Sequence, residues 1–190
     1  MARYGAEHKE ATRSRIIEAA GRRFKQDGID GSGIATLMAD AGLTNGAFYA
    51  HFESKDDLVA NVVSEELAVQ RERLSSLPPG HAALEGFVRD YLSPEHRDLR
   101  AHGCPSAALL DEIGRCDEDS RQSYTDGAEA IVGVIATHLS PKNPRSARGR
   151  ALGLYTLLVG TLQLSRAVSD PDFSDEVLRH GIQNARTFIR

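Results

Sequence analysis

The chain has 190 residues, 41% of them hydrophobic, enough to bury a sizeable core as one domain or as a small domain joined to a larger one. The absence of tryptophan and the scarcity of β-branched runs favour helices, and a net charge of −4 is not that of a generic polyanion binder. Two cysteines twelve residues apart make no disulfide framework, and the basic N-terminus lacks an apolar signal core, so a reduced, cytoplasmic protein is expected.

The charge is unevenly placed. Residues 1–25 hold seven basic side chains (Arg3, Lys9, Arg13, Arg15, Arg22, Arg23 and Lys25) against Glu7, Glu10 and Glu18, whereas residues 56–190 hold 15 basic against 20 acidic. The basic field is local and N-terminal. A solvated amphipathic helix would show the same excess, so this field gains meaning only beside the next elements.

The first predicted helix, about residues 8–27, sets Ile16, Ile17, Ala20 and Phe24 on one stripe and stops at Gly28. Leu37, Met38 and Ala41 then form a short apolar stripe, and Gly42 supplies the positive φ that ends a helix. Leu43 plugs the turn. Thr44 is placed to cap a second helix with its hydroxyl, and Phe48 and Phe52, four residues apart, drive one face of that helix inward. The other face carries Asn45, Gly46, Ala47, Tyr49, Ala50 and His51, which are small or hydrogen-bonding and poor core material. Two short helices about a tight turn, with such an outward face, are how a helix-turn-helix offers its second helix to the major groove of DNA.

The ordered set Phe24, Gly28-Ile29, Ser32-Gly33-Ile34, Leu37, Ala41-Gly42-Leu43-Thr44, Gly46-Ala47-Phe48-Tyr49, His51-Phe52, Ser54-Lys55-Asp56 and Leu58 resembles the N-terminal DNA-binding domain of the TetR family of ligand-responsive transcriptional repressors. The likeness covers about the first third of the chain. Two positions depart from it: Asn45 stands where members often carry Lys or Arg, and Gly33 where Ser or Thr is common. The resemblance implies DNA contacts from Ser32, Thr44, Asn45, Gly46, Ala47, Tyr49, Ala50, His51 and Lys55. Of these, Asn45, Ala47 and Ala50 would face bases, and Thr44, Tyr49, His51 and Lys55 would hold phosphates.

A helix starting at Ser54 runs through Leu58, Val62, Val63, Leu67 and Leu74 to the break at Pro78-Pro79-Gly80 and links two parts of the chain. Helical segments follow at about 81–92, 105–114, 118–139, 145–168 and 174–189. The expected fold is all-α, with a three-helix helix-turn-helix domain over residues 1–54 and a larger helical domain for ligand binding and dimerisation over residues 55–190. The most apolar stretch, 152–164, is interrupted by Gly, Thr and Gln and falls short of the roughly 20 residues of a membrane span.

Apolar residues surround nearly the whole circumference of 151–168, so that helix needs cover on two sides. One side can be its own core and the other a second copy. Together with the stripe of the last helix this makes Leu154, Leu158, Leu162, Leu178, Ile182 and Phe188 the candidate dimer interface; closure of the protomer's own core is the competing reading. In the family resembled, the last two helices pair with those of a second subunit.

The segment 81–139 is less legible. Tyr91, Tyr124, Tyr155, Gln163 and His138 are candidates to line an effector cavity by analogy, and His102 and Cys104 sit at the entry to the helix after Gly103. Cys104, with His102 or Cys116, is a candidate thiol sensor of electrophiles or oxidants; a buried, inert thiol is the alternative. His96, His102, Cys104 and Cys116 have no close metal-ligand spacing, and no cofactor motif or catalytic constellation is present. A cysteine-dependent helical enzyme would need a base aimed at Cys104 and leaves the outward face of residues 44–51 unexplained. A DNA-architectural module without a ligand differs from a sensor in having a solid core. The favoured reading is a dimeric repressor released from an inverted-repeat operator by a small molecule.

Overall fold

The computed structural model describes residues 2–190, with side chains described from residue 7 onward, so the side chain of Arg3 lies outside the described residues. Among the described residues all regular structure is helical. Helix α1 (Ala2–Asp27) buries Ile16, Ile17, Ala20 and Phe24 and closes at Gly28, whose φ of 84° needs no Cβ. Helix α2 (Ile34–Asp40) and a 3₁₀ segment (Asn45–Ala50) follow, then α3 (Lys55–Ser75), started by the Ser54 hydroxyl accepting the Asp57 N–H at 3.0 Å.

The remainder comprises α4 (His81–Tyr91), the single turn α5 (Pro94–Asp98), a 3₁₀ turn (Arg100–His102), α6 (Pro105–Ile113), α7 (Glu118–Leu139), α8 (Arg148–Ala167) and α9 (Pro171–Ile189). The short pieces between residues 94 and 102 were not anticipated. Side-chain caps mark the starts: Ser93 for α5, Asp117 for α7 and Asp170 for α9. Helix α3 packs along α7, α7 on α8 and α8 on α9, while α1 rests on α2, α3, α6 and the 3₁₀ turn.

Two buried polar links tie α1 to the rest. The Lys25 ammonium, 5% exposed, meets the Glu66 carboxylate of α3 at 2.7 Å. The Glu112 carboxylate, near the end of α6, accepts the Ile29 N–H at 2.7 Å and lies so close to Gly28 that a Cβ there would meet it at about 3.0 Å. Helix α6 therefore presses on the loop that leads into the helix-turn-helix.

Candidate nucleic-acid interface and effector cavity

Helix α2 buries Leu37 and Met38, and the chain turns at Gly42, φ 67°, after which the Leu43 N–H closes on the Met38 carbonyl at 2.8 Å. The next element differs from the expected α-helix. It is a six-residue 3₁₀ segment, held by the Ala47 N–H to the Thr44 carbonyl (3.0 Å) and the His51 N–H to the Phe48 carbonyl (2.9 Å). Asn45, Gly46 and two aromatics are weak helix formers, and the Thr44 hydroxyl makes no cap bond, contrary to expectation. Tertiary packing supplies the order instead. Phe48 and Phe52 are fully buried, with ring centres 5.7 Å apart, and Arg13 stands over the Phe52 ring at 4.9 Å.

With those rings inward, Thr44, Asn45, Gly46, Tyr49 and Ala50 face solvent, Tyr49 at 69% exposure; Ala47 and His51 are partly covered. A side chain at Gly46 would meet nothing within 4 Å, so the protomer leaves that spot open. Burial, then the charges of Lys9 and Arg13, hold the His51 pKa below its ordinary value, so it is a neutral ring. Two sequence expectations change here. Ser32 is only 1% exposed and its hydroxyl donates to the Gly28 carbonyl at 2.7 Å, which makes its side chain a turn lock and not a surface contact. The Lys55 ammonium donates to the Ile29 carbonyl at 2.6 Å, leaving two of its three donors for any other acceptor. The N-terminal basic field is also partly spent, since Arg22, Arg23 and Lys25 all pair with carboxylates and Arg15 donates to the Ala41 carbonyl.

The expected effector residues divide between two pockets. Tyr124, Tyr155 and Gln163 line a mostly apolar cavity of about 460 Å³ between α6, α7 and α8, closed further by Leu110, Val132 and Val159. The Tyr155 hydroxyl shares a 2.7 Å hydrogen bond with Ser106 on α6, and burial raises the pKa of both tyrosines, so they stay neutral. Tyr91, His102 and Cys104 instead meet at a smaller pocket of about 120 Å³. There the Cys104 thiol, 5% exposed, donates to the Gln70 amide oxygen at 3.3 Å, and its N–H donates to His96 Nε2 at 3.0 Å. Burial, followed by the acidic charges of Asp117, Asp56, Asp30 and Glu112, raises the Cys116 pKa and disfavours a reactive thiolate there. His138 is buried and hydrogen-bonds the Leu74 carbonyl at the end of α3, lining neither pocket. Among the described residues no group of His, Cys, Asp and Glu is placed to hold a metal, and no helix is long and apolar enough to cross a membrane.

The proposed dimer leucines require correction. Leu154, Leu158, Leu162 and Leu178 are buried within the protomer, Phe188 packs against Gly153, and only Ile182 and Phe188 of the six keep partial exposure. What α8 leaves exposed is Arg148, Gly149, Leu152, Thr156, Gly160, Leu164 and Ala167, a face charged only at its first residue, with Leu152 at 42% and Leu164 at 49% exposure. An all-round apolar helix does not say from its sequence which side meets its own core.

These features define a helix-turn-helix protein with an all-helical companion region that carries an open-mouthed cavity. Residues 16–62 match the family described as bacterial regulatory proteins, tetR family. The HTH-type transcriptional repressor NemR of Escherichia coli K12 is 23% identical over 133 residues, 67% of each chain; the repressor BepR of Brucella suis is 35% identical over 103 residues, 47% of this chain and 49% of BepR. The crystal structure of reduced E. coli NemR superposes with a TM-score of 0.78 at 19% identity, covering 93% of this chain and 96% of that one. FadR of Bacillus subtilis, in complex with stearoyl-CoA, gives 0.62 at 16% identity over 89% and 97%. Residues 16–62 therefore carry a TetR-family DNA-binding domain, and the whole chain shares its fold with solved structures of TetR-family regulators.

Proposed function

We propose that this protein is a sequence-specific DNA-binding repressor that acts as a homodimer and leaves an inverted-repeat operator when a small molecule occupies the cavity between α6, α7 and α8. Residues 1–54 read DNA, and residues 55–190 bind the effector and the second copy. The observation that carries the reading is the 3₁₀ segment anchored by Phe48 and Phe52, whose outward side offers an amide, a hydroxyl, a phenol and small residues, and no bulky aliphatic group. A surface serving only solubility has no need of that selection. BepR and NemR carry the name of repressor, which supports the same sign of regulation.

The exposed face of α8, charged only at Arg148, is the side offered to the second copy. Leu152, Thr156 and Gly160 belong both to that face and to the cavity rim, so a partner there would roof the cavity. An occupant packed against α6 is linked to DNA affinity through Glu112 and the Gly28–Ile29 loop, with a coupling of about 1–3 kcal/mol, or roughly 5- to 150-fold. Selection of duplexes from a random pool, followed by fluorescence anisotropy on the winners, tests the function. The expected result is enrichment of a two-fold-symmetric sequence. Failure to enrich any sequence over non-specific DNA refutes it.

A further inference from the structure

A third cleft, of about 450 Å³, lies where the last turn of α1, the 3₁₀ turn Arg100–His102, the end of α8 and the start of α9 meet. Three arginines line it. Arg97 is saturated, its guanidinium holding Asp98, Asp175 and the Ser174 hydroxyl. Arg166 is not. Its Nε and Nη2 donate to the Arg97 and His96 carbonyls at 3.1 and 2.8 Å, its Nη1 is buried without an acceptor, and no carboxylate forms an ion pair with it among the described residues. Arg100 is exposed, and its side chain has no hydrogen-bond or ion-pair partner among the described residues.

These two cations are close enough to repel. After burial, the charge of Arg100 is the largest cause lowering the Arg166 pKa. The acids nearby are engaged elsewhere: Asp98 pairs with Arg97 and eases Arg166 only through its charge, and Asp170 caps the Asp172 and Phe173 N–H groups. A partly buried guanidinium without a carboxylate in direct contact is unfavourable.

We propose that this cleft binds a small oxyanionic molecule whose phosphate or carboxylate group is gripped by the open guanidinium of Arg100, with the charge of Arg166 in the wall behind it. Planar guanidinium forks match either group. The volume lies within the roughly 300–1,000 Å³ of small-molecule sites, so the occupant is larger than a bare ion. The Gln26 amide and the Ser169 hydroxyl supply further polar groups at the walls. The site is separate from the α6–α7–α8 cavity, and its existence does not depend on the DNA-binding reading.

Calorimetric titration of the full chain with inorganic phosphate, pyrophosphate and citrate, at an ionic strength held constant with potassium chloride, tests the proposal. Arg100→Gln is the informative variant, because the Arg100 side chain makes no hydrogen bond or ion pair and its loss relieves the repulsion on Arg166, so the melting temperature in chloride should not fall; Arg179→Gln, exposed on α9 away from the cleft, is the control. The expected result is saturable binding that Arg100→Gln weakens roughly tenfold or more while Arg179→Gln leaves it intact. A preference for the phosphates assigns a phosphorylated occupant, and a preference for citrate a polycarboxylate. Absence of saturable binding above chloride, retention in Arg100→Gln, or equal loss in both variants overturns the proposal.

Discussion

At the scale of single residues, the recognition segment owes its chemistry to what it omits. Asn45 is exposed at its start, and an amide there is able to pair bidentately with adenine. Asn45→Ala is expected to cost about 1–3 kcal/mol at one operator position and little elsewhere, measured by anisotropy against a panel of single-base variants. Undiminished discrimination would remove Asn45 from the base-reading set. His96 makes a second prediction. Its Nδ1 lies 2.7 Å from the Tyr91 carbonyl and its Nε2 accepts the Cys104 N–H, an arrangement that needs the neutral ring with its proton on Nδ1. Burial lowers its pKa from the ordinary 6.5, the Tyr91 carbonyl opposes this, and the charges of Arg166, Arg73 and Lys25 add to the lowering. The unfolded chain therefore binds the extra proton first, so stability is lost as pH falls below about 6.5, and His51 acts in the same direction. Thermal melts between pH 7.5 and 5.5 should show a falling midpoint, with a shallower fall in His96→Gln; a midpoint that rises on acidification contradicts the assignment.

At the scale of elements, the helices of the C-terminal region were legible from apolar spacing and turn residues, and their bounds fall within a few residues of expectation. The sides they face were not legible. Helix α8 is apolar nearly all round, and only packing shows that Leu158 and Leu162 point inward while Leu152, Gly160 and Leu164 remain outside. Glutamate at Leu158 would therefore unfold the protomer and say nothing about association. Gly160→Glu and Leu164→Glu place the charge on the free face, so sedimentation should report a folded monomer of about 20.6 kDa for these variants and a dimer for the wild type. A dimer unaffected by both changes would put the interface elsewhere. The recognition element was legible in its inward phenylalanines but not in its backbone, because burial of Phe48 and Phe52 holds a 3₁₀ segment that local propensity alone does not favour. The α6 link was also invisible, since Glu112 and Ile29 lie 83 residues apart. Glu112→Ala strands the Ile29 N–H. A loss of about 1–2 kcal/mol, read as a midpoint lowered by about 2–8 °C, is expected.

At the scale of the whole molecule, the proposed function rests on two recognition segments held at one separation. A two-fold dimer reading half-sites one helical turn apart needs them about 34–36 Å from each other. A cavity occupant that favours another spacing weakens DNA binding by linkage, and α6 is placed to carry the change, with Ser106 hydrogen-bonded to Tyr155 near one end and Glu112 on the helix-turn-helix loop at the other. The most direct test is sedimentation of the wild-type protein at micromolar concentration, alone and with a selected inverted-repeat duplex. A dimer that binds the duplex, and loses both association and tight binding together in Gly160→Glu, is the result this account expects. A monomer that still binds the inverted repeat tightly would contradict it.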